Sequence, residues 1–455
     1  MFRKPMYALA LVTILDLAIR VSGSQKDPEL ETFRLTRQQV IEKTMRPYDG
    51  HDIPTLLHVN RSTLDRKVMC GYQGWFTCPG DGAGKGWAHW GNRGKFDHYH
   101  CTIDFWPDMR EYDDDERYAT VFRHSDGTTA FVYSAMNAKS VARHFKWMRD
   151  YGIDGVFVQR FAADTFDGKN LNHVNTVLAN CRAAANQYGR VYALMYDLSG
   201  LKQGQMPQVI EDWKLLIDRM RLTRDANDRS YLYHKGMPVV GVWGIGFSDD
   251  RKYTLDECAQ LVSLLKNDHK YGGCTVVLGL PTFWRMLDKD CLSSRKVHEI
   301  IEVADIVSPW TVGRFGKPED VPMFARSIWA ADLEWCKRHG KEYLPVVWPG
   351  FSWYNTDPRT RILNRIPRLR GEFLWKQYVE AKKVGVTMLY QAMFDEVDEG
   401  TAIFKCTNDP PVSVGRVKFV TYEGLPSDHY LWIAGLGRQV LRGEVEISEE
   451  LPRRK

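Results

Sequence analysis

From residue 67 onward the chain alternates between two hydrophobic patterns. Short runs in which nearly every position is apolar, such as Val156-Phe157-Val158 and Val276-Val277-Leu278, are bounded by Gly, Pro or Asp. Between them lie longer stretches whose apolar residues recur at helical spacing. Unbroken apolar runs of strand length are what a parallel sheet covered on both faces requires, because neither face meets water. Strands are expected at residues 67–76, 154–161, 190–197, 238–243, 274–280, 305–310, 343–348 and 386–393. Helices are expected at 138–151, 170–188, 207–222, 254–270, 292–303, 319–339, 372–384 and 427–442. Eight strictly alternating units are the signature of an α/β fold of the (β/α)8 TIM-like barrel kind.

The first strand is followed by a long loop, residues 77–137, carrying a hairpin at 118–122 and 129–133 around Ser125-Asp126-Gly127. A doubly wound open sheet is the competing fold. It wants a glycine-rich phosphate loop opening a helix, whereas Gly80-Asp81-Gly82-Ala83-Gly84-Lys85-Gly86 sits inside the long loop and lacks the hydroxyl residue after lysine. That stretch reads as a flexible or sugar-contacting loop.

Ahead of the barrel, Arg3 and Lys4 precede an apolar run at residues 6–15, too short to span a bilayer, and Val21-Ser22-Gly23-Ser24 offers small residues for cleavage. Residues 1–24 are expected to be a signal peptide, 25–66 a helical and irregular lead-in, 67–445 the catalytic domain and 446–455 a tail. The expected location is therefore periplasmic or extracellular. The formal charge of the 455 residues is +5; residues 1–24 supply Arg3, Lys4 and Arg20 against Asp16, a net +2, leaving +3. That balance excludes nucleic acid or an anionic membrane surface as an evident partner. The nine cysteines include no CxxC pair, and Cys78 and Cys101, flanking one loop, could join if the chain is exported.

The chemistry is expected where barrel strands end at their carboxyl side. The last strand runs through Met388-Leu389-Tyr390-Gln391-Ala392-Met393 into Phe394-Asp395-Glu396-Val397-Asp398-Glu399-Gly400, an apolar run that ends in four carboxylates. Such a run can be a solvated loop. Glu396 and Glu399 are three apart, so one turn of helix would face both to one side, and paired carboxylates are the minimum equipment for cleaving a glycosidic bond. The other strand ends supply Tyr72, Gln73 and Trp75; Gln159 and Arg160; Tyr196 and Asp197; Trp243; Trp284; Trp310; and Trp348 with Trp353, while the long loop adds Trp87, His89, Trp90 and Trp106. Flat aromatic faces with a polar edge suit sugar rings. Of Trp75, Trp87, Trp90, Trp243, Trp310 and Trp348, at least three are expected to border the pocket that holds Glu399. Arg160 and Asp197 could pair with each other or hold substrate. His89, His98 and His100 lack a zinc-enzyme spacing, the acidic run lacks the calcium-loop pattern, and no metal or cofactor is expected. Asp113-Asp114-Asp115-Glu116 reads as a solvated face.

The run Phe394-Asp395-Glu396-Val397-Asp398-Glu399-Gly400-Thr401-Ala402-Ile403 resembles the Phe-Asn-Glu-Trp-x-Glu-Gly-Thr-x-Ile stretch of the endo-α-mannosidase and α-1,3-glucanase type of glycoside hydrolases, families 99 and 71. Gly71-Tyr72-Gln73-Gly74-Trp75-Phe76 and Trp87-Ala88-His89-Trp90 are similar to that group's opening strand and Trp-rich loop. The resemblance implies a retaining (β/α)8 hydrolase acting on an α-linked glycan or polysaccharide without a metal. It implies that Glu396 is the base on the sugar 2-hydroxyl, Glu399 the acid on the leaving oxygen, and Tyr72 a neighbour of the cleaved bond, its hydroxyl or an arginine steadying Glu396. Substrate contacts are then expected from Tyr72, Trp75, Trp87, His89, Trp90, Arg160, Tyr196, Asp197, Trp243, Trp310, Trp348 and Asp395. Val397 replaces the group's Trp, and Asp398 adds a charge beside the pair. The rival reading is a barrel that binds carbohydrate without cleaving it.

Overall fold

The computed structural model describes residues 33–50, 59–357, 359 and 362–454. The expected signal peptide lies outside the described residues. Eight strand positions alternate with helices: β1 Val68–Tyr72, β2 Gly155–Phe161, β3 Val191–Asp197, β4 Met237–Trp243, β5 Thr275–Pro281, β6 Ile306–Trp310, β7 in two pieces, Glu342–Tyr343 and Val346–Val347, and β8 Leu389–Gln391. The barrel helices are α1 Ala138–Asp150, α2 Gly168–Tyr188, α3 Met206–Asp218, α4 Leu255–Asn267, α5 Lys296–Val303, α6 spanning Val321–Phe324, a π segment Ala325–Trp329 and Ala330–Arg338, α7 Glu372–Val384 and α8 His429–Arg442, and a short helix, Arg37–Thr44, lies ahead of them in the lead-in. All neighbouring barrel strands pair in parallel. The fold is a (β/α)8 TIM-like barrel.

Closure depends on β7. Its first piece pairs with β6 through Glu342 and Tyr343, its second with β8 through Val346 and Val347. Pro345 lies between them and has no N–H to donate, yet its carbonyl accepts from Tyr390 N at 3.0 Å. The strand thus changes partner at the residue that cannot serve both.

Strand residues alternate between the barrel interior and the helix layer. Gln159 points inward and donates to Tyr390 Oη at 2.9 Å, while its neighbour Arg160 points outward. The interior is crowded enough to demand glycine at Gly71, where a Cβ would sit 2.1 Å from Tyr390 Oη, and at Gly279, where it would sit 2.2 Å from Trp243 Cδ1. Trp243 can lie across β5 towards the barrel mouth only because Gly279 has no side chain.

The same alternation corrects several expectations. Arg160 donates through Nε and Nη2 to Asp212 of α3 at 2.7 and 2.6 Å, and Tyr196 Oη donates to the same carboxylate at 2.6 Å. Both lie behind the barrel wall, fully buried, and neither faces a substrate; Asp212, not Asp197, is the partner of Arg160. Tyr72 also points outward, its hydroxyl 2.9 Å from His144 Nδ1 on α1. Trp348 is buried against Phe315 and Phe373 of α7. Trp90 is buried in the long loop against Phe76 and Tyr133, its indole N–H donating to the Tyr133 carbonyl at 3.1 Å.

The long loop is a packed lobe. Its hairpin strands are Tyr118–Arg123 and Thr129–Val132. The acidic run before the hairpin is only partly solvated: Glu116 is buried and paired with Arg143, while Asp113 and Asp115 hold Lys139. In the glycine-rich stretch, Asp81 accepts from the amides of Cys78 and Ala83 and from Ser134 Oγ, and Lys85 reaches Asp164 at 3.7 Å, so the loop is fastened to the barrel. All nine cysteines are buried and free; Cys78 and Cys101 do not pair, their thiols facing the carbonyls of Tyr133 and Ile103 instead. Among the described residues no helix is long and apolar enough to cross a membrane.

Because Arg160 is buried and charged, its stability rests on Asp212. Asp212→Ala leaves the guanidinium without its counter-charge and is expected to cost about 3–5 kcal/mol. Urea unfolding measures this, and replacing both residues with apolar ones should cost less than Asp212→Ala alone.

Candidate active site

β8 ends at Gln391, passes through a cis Ala392–Met393 peptide and turns back on itself between Asp395 and Thr401. Three fixings shape that turn. First, Asp395 is fully buried and its two oxygens accept from the amides of Gln73 and Gly74, at 2.8 and 2.9 Å, tying the turn to the end of β1. Burial nevertheless pushes its carboxyl up to about 7, against the pull of those amides. With both oxygens occupied, Asp395 is a structural anchor rather than the substrate contact expected from sequence. Second, the Val397 carbonyl accepts from the amides of Asp104 and Phe105, at 3.0 and 3.3 Å. Third, Arg368, buried among Phe105, Tyr422 and Tyr430, donates to the carbonyls of Gly400 and Ala402 at 2.8 and 2.6 Å. Gly400 has φ +70°, and a Cβ there would meet Ser352 N at 2.7 Å, so the turn needs glycine.

The same fixings place the loop after β7. Asp104 is fully buried and accepts from Ser352 Oγ, Tyr354 N and Asn355 N, the last two at 2.8 and 2.9 Å. Ser352 N donates to the Glu399 carbonyl at 3.0 Å. Trp353, between these anchors, is thereby held beside the acidic turn.

The four acidic side chains then differ in what they touch. Glu396 is buried; Gln73 Nε2 donates to its Oε1 at 2.5 Å and Thr401 Oγ1 donates to its Oε2. Burial and the charges of Glu399 and Asp398 push its pKa well up, and the two donors pull the other way. Asp398 is buried, with His89 Nδ1 3.1 Å from its Oδ2. Glu399 is half-buried, and among the described residues no side chain donates to its carboxyl; burial, then Asp398 and Asp197, push it up to about 8. Asp197, at the end of β3, accepts from Ser199 N at 2.7 Å, and burial raises its pKa.

Glu399 borders a cavity of about 280 Å³ walled by Trp243, Trp310 and Trp353, with Phe247, Phe351, Arg251 and Arg314 around them. Trp243 and Trp310 meet edge to face, centroids 5.7 Å apart. Of the six tryptophans expected there, two line it, short of the three anticipated; the third wall is Trp353. Trp75 is not part of that lining; it is stacked on His89 at 3.8 Å and 5° and on Phe161. Trp87 packs on Phe96 within the lobe. Gln73, next to the expected Tyr72, is the residue that reaches the acids. The signal that could have found it is the strand's own alternation: Gly71 faces the interior, so Gln73 does too. His98 and His100 gather no metal-ligand set; among the described residues the single such cluster is Asp113, Asp115 and Glu116, where Lys139 and Arg143 already supply cations.

Raised carboxyls carry a signature in stability. Unfolded carboxyls titrate near 4, whereas burial and the charges of Asp398 and Asp197 push Glu399 up to about 8 in the folded chain. The contribution of Glu399 to stability is fully present below about pH 4 and is lost by the time the pH has risen through about 8, because over that interval the unfolded chain has released a proton that the folded chain keeps. Glu399→Gln should therefore match the wild type at pH 4 and exceed it by about 1–3 kcal/mol at pH 8.5. Urea unfolding at the two pH values checks this; an equal effect at both would contradict it.

No family model matches the chain, and no curated protein matches it. Among solved structures it is similar to the GH99 endo-alpha-mannosidase from Bacteroides thetaiotaomicron. In the complex of that enzyme with bis-tris propane the TM-score is 0.58 at 18% identity, covering 84% of this chain and 99% of the other. A second structure of the enzyme gives a TM-score of 0.58 at 16% identity with the same coverage. The protein has the barrel fold of the GH99 endo-alpha-mannosidase along nearly the whole of that enzyme's length.

Proposed function

We propose that the protein is a glycoside hydrolase that cleaves an α-linked bond in an oligosaccharide or polysaccharide, with Glu399 as acid and Glu396 as base. The observation that carries this reading is Glu399 at the edge of a tryptophan-walled cavity, with a second glutamate buried one turn behind it. Sugar rings present C–H faces to Trp243, Trp310 and Trp353, while their rims of hydroxyls meet the polar groups between. The fold shared with the GH99 endo-alpha-mannosidase and the sequence match around Glu396 and Glu399 support the same reading.

The division of labour follows from hydrogen bonds. Glu396 and Glu399 repel each other, so at neutral pH one of them holds a proton. Glu396 accepts from Gln73 and Thr401, which favours its ionised form; Glu399, to which no side chain among the described residues donates, keeps the proton. Glu396 takes the proton of the sugar 2-hydroxyl as that oxygen closes on the anomeric carbon, and Glu399 gives its proton to the leaving oxygen. Water then opens the strained ring with the roles reversed, which retains the anomeric configuration. The donors Gln73 and Thr401 take the place that Tyr72 or an arginine was expected to fill. Residues 1–24 are read as an export signal, placing the enzyme outside the cytoplasm, where such glycans are met.

Reducing-sugar release from a panel of α-linked polysaccharides tests the activity. Glu399→Gln should cut the rate on a natural glycan roughly 10²-fold or more and matter much less for an aryl glycoside, whose leaving group needs little protonation. Glu396→Gln should slow both alike. Binding to a glycan with no sugar release from the wild type would leave the binding-barrel reading in its place. Trp353→Ala should raise KM by about 3–10-fold with kcat less affected, as steady-state kinetics would show.

A further inference from the structure

We infer that Asp398, fixed by His89, is a positioning residue: its carboxylate is the immobile negative charge that keeps the proton on Glu399. The inference rests on the glycosidase reading for its use, since a proton held on Glu399 matters only if Glu399 is the acid.

The argument begins with what holds Asp398. It is buried, and its flanking backbone is pinned on both sides: the Val397 carbonyl by two amides, and the Glu399 carbonyl by Ser352 N at 3.0 Å. The side chain therefore cannot swing out to water. Its Oδ2 meets His89 Nδ1 at 3.1 Å, and its buried Oδ1 has no partner among the described residues. His89 is fixed in turn. Its carbonyl accepts from Thr102 Oγ1 at 2.6 Å, its ring is stacked face to face on Trp75, and its backbone has φ +62°. Burial and the nearby Lys85 ammonium hold the imidazole below its ordinary range, so it is neutral and can donate one N–H.

Of the adjacent carboxyls, then, Asp398 has a donor and Glu399 has none. When the buried set can release only some of its protons, the group with the donor ionises first. Asp398 becomes the anion, and its charge, next in sequence to Glu399, opposes ionisation there. The other charged groups facing this spot do not cancel it. Asp395 is spent on two amides, Glu396 on Gln73 and Thr401, and Asp197 adds like charge from β3. The cations have their own partners: Lys85 pairs with Asp164, Arg251 with Asp249 and Arg314 with Asp290.

The test reads ionisation directly and needs no substrate. The full chain, labelled with ¹³C at Asp and Glu side-chain carboxyls, is titrated by NMR, and the Glu399 signal is identified by its loss in Glu399→Gln. Asp398→Asn should lower the Glu399 midpoint by about one pH unit, a tenfold weaker hold on the proton. His89→Ala should do the same, because Asp398 without its donor stays protonated. His89→Asn should restore the wild-type midpoint: its amide N–H replaces Nδ1–H, and asparagine tolerates positive φ. A Glu399 midpoint that does not move in Asp398→Asn, or that falls equally in His89→Asn and His89→Ala, overturns the inference. Should Asp398→Asn fail to fold, the His89 pair decides. The expected shifts in a protein that releases no sugar would sink the proposed function and leave this inference standing. In an active enzyme the alkaline limb of kcat/KM should move down with the same variants.

Discussion

The site depends on one contact, the Asp395 carboxyl on the amides of Gln73 and Gly74. It joins the end of the last strand to the end of the first, so it seals the barrel at the face where the acids sit. It also fixes Gln73, whose side chain then reaches Glu396. Without that link the two halves of the acidic centre would belong to different loops. Burying the carboxyl is costly, and the two backbone donors offset only part of that cost, which is why its pKa stays raised. Placing several carboxyls together is unfavourable for stability, a pattern expected of sites shaped for proton transfer rather than packing.

Around this contact the loops are braced from outside. Asp104 gathers three donors from the loop after β7, and Arg368 takes two carbonyls from the far side of the acidic turn. These two residues come from distant parts of the sequence and touch no acid themselves. Together they hold Trp353 beside Glu399.

The strands and helices were legible in the sequence, and α7 at Glu372–Val384 agrees at both ends, because an eight-fold alternation of apolar runs and amphipathic stretches has few other solutions. The direction of individual side chains was not legible. In a strand exposed on one face, alternating polarity tells in from out; in a parallel barrel both faces are buried and every position looks alike. That is why Tyr72, Arg160, Tyr196 and Trp348 were read as substrate contacts while Gln73, named at the same strand end, was given no role. The position of Glu396 and Glu399 did not depend on that alternation, because they lie past the strand, in a turn whose composition is itself unusual. Asp104 and Arg368 carried no local signal, since their partners lie far away in sequence and are mostly backbone atoms.

The nine thiols have a consequence of a different kind. Each is buried, and the shared environment pushes their pKa values up at Cys70, Cys78, Cys101, Cys181, Cys258, Cys274, Cys291, Cys336 and Cys406. A thiol that is both hidden and protonated is inert to oxidants and alkylating reagents until the structure around it opens. The cysteines are spread from β1 to the segment after β8, so they form a ready-made set of clocks. The rate at which each is alkylated reports how often its own neighbourhood exposes itself, and the spread among them maps which parts of the barrel open together and which open alone.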